Sequence, residues 1–141
     1  MSDAIRMHRR RLLGGLAAAA VCAVSPVLRA GSYLDRAALL IAQGTREIEY
    51  VRRRFADKEL CRVVHELCRG RVETATRMLV PKEVVQAHPH LLLVLEHHEQ
   101  AAAAAEKRQA ERFLVYRQRA IDEERVLRGI LKQLGWSLPD A

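Results

Sequence analysis

Aromatic side chains are scarce in this chain, with Phe, Tyr and Trp making up 4% of its 141 residues. Any core must therefore be assembled from Leu, Val, Ile and Ala, and half of the residues are hydrophobic. Gly (7) and Pro (4) are too few to punctuate many short strands, and strand-like alternation of Val, Thr and Tyr is missing. These shortages point to helices in one domain. Catalytic residue types are equally thin. Beyond residue 30 the only serines are Ser32 and Ser137, both near the ends of predicted elements. No Cys-x-x-Cys-His occurs, which argues against attached haem. No Glu-x-x-His occurs either, so the di-iron pattern of ferritin-like bundles is not met, although Glu96–Glu99 and Asp122–Glu124 are acidic.

Acidic charge is short overall, leaving a net +7 and a pI near 9.9. The excess is largely terminal. Residues 1–30 hold Arg6, Arg9, Arg10, Arg11 and Arg29 against Asp3, so the remainder carries 19 basic and 16 acidic groups out of 24 and 17. There the signs alternate, as in Asp122-Glu123-Glu124-Arg125. Mixing of this kind marks a solvated helix surface, whereas nucleic-acid binding requires concentrated positive charge. No nucleic-acid partner is expected.

What is present begins with the N-terminus. A short basic stretch, Met1–Arg11, precedes an uncharged run from Leu12 to Leu28 and a small-residue boundary at Ala30-Gly31-Ser32. This is the layout of a secretory signal. Within it, His8-Arg9-Arg10-Arg11-Leu12-Leu13 resembles the twin-arginine export signal, with Arg9-Arg10 as the pair and Leu12-Leu13 as the apolar pair. His8 stands where that signal usually has Ser or Thr. The resemblance implies transport in the folded state by an export translocase, and a periplasmic or secreted bacterial protein. General secretion, a cut near Val21-Cys22-Ala23, a lipid-modified Cys22, or an uncleaved membrane anchor are the alternatives. The expected division is a signal at 1–30 and a helical domain at 31–141.

Apolar residues then recur at helical spacing. Leu34, Ala37, Ala38, Ile41, Thr45, Ile48, Val51 and Phe55 predict a helix over 33–55, with Ser32 as its N-cap. Leu60, Val64, Leu67, Cys68, Ala75 and Met78 predict a second over 58–79, with Asp57 as its cap. At about 100° per residue the two stripes lie roughly 150° apart, so the chain must reverse at Ala56-Asp57. Pro81 ends the second helix, and Lys82–Ala87 predicts a short helical turn. Pro89 suits the first turn of a third helix running through Leu91–Leu95 and Ala101–Ala105. A turn at Glu106–Gln109 separates it from a fourth, marked by Phe113, Tyr116, Ala120, Leu127, Leu131 and Leu134. Gly135 and Trp136 fit a Schellman-type end. The predicted fold is an all-α antiparallel four-helix bundle. Its alternative is a helical hairpin with one long C-terminal helix, in a dimer.

One constellation carries possible chemistry. Cys61, His65 and Cys68 lie at i, i+4 and i+7 on one side of the second helix, and His97 offers a fourth ligand from the third. Thiolate and imidazole donors suit Cu(I) or Zn(II). The competing reading makes both cysteines core residues. A disulfide between them is excluded, because seven helical residues separate Cα atoms by about 10.5 Å. A thiol within a packed stripe also lacks substrate access. The chain is therefore expected not to be an enzyme and to need no cofactor. Apolar side chains on every face of Leu91–Leu95 imply burial on several sides. The chain reads as an exported accessory or partner-binding protein, or a homo-oligomer, using the faces left exposed by Leu91–Leu95 and Ala101–Ala105. Its alternative is a soft-metal carrier.

Overall fold

A computed structural model describes residues 26–141. They form α1 (Pro26–Arg53), α2 (Lys58–Thr76), a short 3-10 turn (Lys82–Val84), α3 (His88–Glu106) and α4 (Ala110–Gln133). The fold is an all-α four-helix bundle. Arg9, Arg10, Leu12 and Leu13 lie outside the described residues. No described helix is long and apolar enough to cross a membrane.

The start of α1 corrects one expectation. The helix begins at Pro26 rather than at 33, so Ser32 is not its cap. Ser32 sits exposed inside the helix, and its carbonyl accepts from the Arg36 side chain. Ala30 is buried, and the 30/31 boundary falls within α1. Helical propensity in Leu28-Arg29-Ala30 prevails over the local preference of Ser for a cap.

The reversal at Arg54–Asp57 is present. Asp57 takes extended geometry and accepts from the Leu60 amide at 2.9 Å, satisfying one of the free N–H groups of α2. α2 ends at Thr76, three residues earlier than expected. Between α3 and α4 no glycine is available, and Arg108 adopts the left-handed backbone instead (φ 63°). Its guanidinium donates to the carbonyls of Phe55 and Ala56 and lies over the Phe55 ring. The two hairpin turns are thereby latched together. At the end of α4, Gly135 (φ 83°) lets Trp136 N–H reach the Leu131 carbonyl and Gly135 N–H the Lys132 carbonyl. This is the Schellman arrangement.

α3 is the central helix. It packs extensively on α2 and α4, while α1 rests on α3 and α2 and meets α4 through side chains, in one apolar cluster and in the Glu49–Arg117 pair. Two apolar clusters fill the interior. One joins Tyr33, Leu34 and Ile41 of α1 to Leu91, Val94 and Leu95 of α3 and Leu127 and Leu131 of α4. Leu138, beyond α4, folds back onto it. The other joins Ile48 and Val51 to Cys61, Val64 and Cys68 of α2, four alanines between Ala101 and Ala105, and Phe113. Leu91–Leu95 is buried on several sides, as its apolar character on every face predicts, and Leu93 is the one residue of this run that stays exposed. Leu91, Val94, Leu95, Ala101, Ala102, Ala104 and Ala105 are buried within the monomer, because α2 and α4 occupy two sides of α3. Likewise α3 and α4 are separate helices that fold against each other, so the long-rod alternative does not apply.

Candidate functional site

A polar layer lies between the two apolar clusters. Its origin is the stripe of α3, which runs Leu91, Leu95, His98, Ala102 and Ala105 at helical spacing and so carries one imidazole into the interior. His98 is buried, and its Nδ1 has no hydrogen-bond partner. It fits because the facing residue of α1 is Gly44. A Cβ on Gly44 would lie 2.5 Å from His98 Nδ1, well inside contact distance. Gly44 thus has a packing reason that outweighs the cost of about 1 kcal/mol for glycine within a helix. Burial, reinforced by the positive Arg71 and by His97, pushes the His98 pKa down to about 4. The ring is neutral at pH 7.

Arg71 supplies the second part of the layer. It occupies an inward position of α2 between Cys68 and Ala75, and it donates to Glu47 of α1. It also donates to Cys68 Sγ at 3.7 Å. The second oxygen of Glu47 is buried and unpartnered. A half-buried pair of this kind does little for net stability but is costly to break, since either ion alone would be stranded.

Next to His98 the bundle is open. Where α1 and α4 part, a cavity of about 180 Å³ is walled by Thr45, Ile48, Glu49, His98, Arg117, Ile121 and Glu124. It shares Thr45, Glu49 and Glu124 with an outer groove of about 520 Å³ that continues past Ile41, Arg46, Arg53 and Arg128 to Pro139 and Asp140. The acids on this wall are already engaged. Glu49 accepts from both Arg52 and Arg117, and Glu124 from Arg128. Burial acts to raise the Glu49 pKa, but the bonds from Arg52 and Arg117 together hold it below the usual range.

The proposed ligand residues are not gathered in one place. Cys61 and Cys68 are buried and free. Burial raises both thiol pKa values, that of Cys68 to about 12, so neither is a thiolate at neutral pH. Cys61 Sγ lies 3.8 Å from the Phe55 carbonyl. His65 reaches across to α3, where its Nδ1 donates to Glu106 and its Nε2 lies 3.8 Å from Glu99. His97 points the other way and stacks on Tyr116 of α4. The four residues are therefore split between two faces of α3. Among the described residues, no group of three or more His, Cys, Asp and Glu is placed to hold a metal ion.

No protein family matches this chain, and no curated protein or solved structure matches it either.

Sequence reasoning missed His98, Arg71, Glu47 and Gly44. A signal existed for two of them. His98 is three residues from both Leu95 and Ala101, and Arg71 is three from Cys68 and four from Ala75, so each interrupts an apolar stripe. A polar residue within such a stripe marks a buried polar contact. The groove had no local signal, because it lies between two helices distant in sequence, bridged there by Arg117 of α4 and Glu49 of α1.

Proposed function

We propose that this chain is an exported, non-catalytic binding module that serves as an accessory by holding a partner or ligand in the groove between α1 and α4. The observation that carries this reading is the open seam. Three sides of α3 are covered, and yet the α1–α4 side keeps a cavity with an apolar floor, a buried imidazole and a guanidinium-rich lip. Concave sites with few convergent polar groups are the usual form of a binding pocket. The thiols, by contrast, are buried and protonated, which favours binding over nucleophilic chemistry. Export is supported by Arg9-Arg10 ahead of Leu12-Leu13 and the uncharged run after them.

Two experiments test the two halves of the proposal. A photoreactive residue at Thr45, introduced into the chain in its native cell, should yield a defined covalent adduct. The same residue at Val63, on the outer side of α2, should not. Failure to capture anything at Thr45 overturns the binding reading. Changing Arg9 and Arg10 to Lys should leave the precursor in the cytoplasm, and unimpaired export would assign the protein to general secretion.

A further inference from the structure

Resting on that reading, we infer that the occupant of the α1–α4 groove is a small amphipathic carboxylate, an acyl or aryl chain ending in one carboxylate. The inner cavity sets the chemistry of the tail. Ile48 and Ile121 line it beside the face of His98, and it holds about 180 Å³, room for a short hydrocarbon segment and too little for a folded element. Burial of apolar surface there provides the driving force, at about 25 cal/mol per Å².

The lip sets the chemistry of the head. Arg46 and Arg53 are seven residues apart on α1, two turns along the same side, and both line the outer groove. Neither has a carboxylate within ion-pair distance among the described residues. The acids nearby are occupied: Glu49 is shared by two guanidiniums and Glu124 is held by Arg128. A cationic ligand seated at the inner cavity would have to displace an arginine from one of these. An anion meets guanidinium N–H groups with no prior partner, and a carboxylate matches their planar fork. Asp140 also lines the outer groove and repels an anion, so the head is directed to the guanidiniums of Arg46 and Arg53. His98, neutral and buried at the floor, adds a polar edge without adding charge to the tail pocket.

The probe is octanoate, titrated calorimetrically into the purified full chain at fixed ionic strength. Saturable binding is expected, with octanol and octylammonium at least about tenfold weaker, as loss of a charge-assisted contact implies. The R46Q/R53Q double variant should weaken octanoate by about tenfold or more and leave octanol unchanged. Both positions are exposed, and an unaltered thermal melt checks that the variant is folded. Equal binding of the three probes, absence of octanoate binding at millimolar concentration, or full retention in the double variant would each overturn the inference. The photoadduct at Thr45 separates this failure from that of the binding reading. A small-molecule mass supports the inference, and a protein-sized adduct sinks it while leaving the binding module intact. No adduct at all removes both.

Discussion

The two halves of the core are built by different means. The half nearer Pro26 uses Leu and Ile, with Leu91, Leu95, Leu127 and Leu131 meeting Ile41 and Tyr33. The half nearer the hairpin turns uses alanines and thiols, with four alanines between Ala101 and Ala105 against Cys61, Cys68 and Ile48. Large side chains gain by displaced water, whereas small ones gain by letting backbones approach. Between them the polar layer of His98, Gly44, Glu47 and Arg71 belongs to neither. The contrast follows α3 itself, whose buried positions are Leu and Val before His98 and Ala after it.

The largest effect should come from the leucine half. Leu95→Ala is expected to cost about 2–5 kcal/mol in urea unfolding, whereas Ala102→Gly should cost about 1 kcal/mol. Equal losses would mean that the two halves do not differ in kind.

Acid should act on the layer between them. The His98 pKa is about 4 in the folded protein against an ordinary value of 6.5, so the unfolded chain takes up the proton first. Stability is complete above about pH 6.5 and falls as pH drops toward 4, by up to about 3 kcal/mol. A His98→Gln variant should lose this dependence, and an unchanged slope over pH 4–6.5 would assign it to other groups.

Gly44→Ala sharpens the same boundary with a smaller effect. Overpacking against His98 costs about 1–3 kcal/mol and helix propensity returns about 1, so net destabilisation is expected. In a His98→Ala background the clash disappears, and the same change should stabilise by about 1 kcal/mol. A sign that does not reverse would mean that α1 and α3 shift freely.

In the alanine half, Cys68→Ala should cost about 1–2 kcal/mol, on the scale of removing a small buried group. Metal content of the purified chain should be the same before and after. Stoichiometric copper or zinc lost with this change, or with His65→Ala, would restore the metal-carrier reading. Alkylation of both thiols should be slow and follow unfolding.

Much of the fold was legible because periodicity is a local property. The phase shift between the stripes of Leu34–Phe55 and Leu60–Met78 placed the first reversal, and Gly135-Trp136 placed the end of α4. One local signal misled. Ser32 read as a cap because its side chain favours one, but the helix formers before it extend α1 to Pro26. Leu91–Leu95 read correctly as buried on several sides, but which faces along it and Ala101–Ala105 stay exposed was not legible, because a sequence does not reveal how many neighbours a helix has. The candidate site was illegible for a stronger reason. His97 and His98 are adjacent and chemically alike, yet a rotation of about 100° sends one against Tyr116 and the other beneath Gly44. Only the register of three helices decides between them.

The latch of Arg108 on Phe55 and Ala56 has a consequence for orientation. With four antiparallel helices, both ends of the described chain come to one pole, where Tyr33 and Leu138 share a cluster. The latch closes the opposite pole, and α4 spans about 36 Å between them. The first turns of α1 therefore project from the pole that Leu138 closes, while the groove begins further along the helix, at Ala38. Load applied at that pole would be carried along α1, and the latched turns would be the last part of the bundle to feel it.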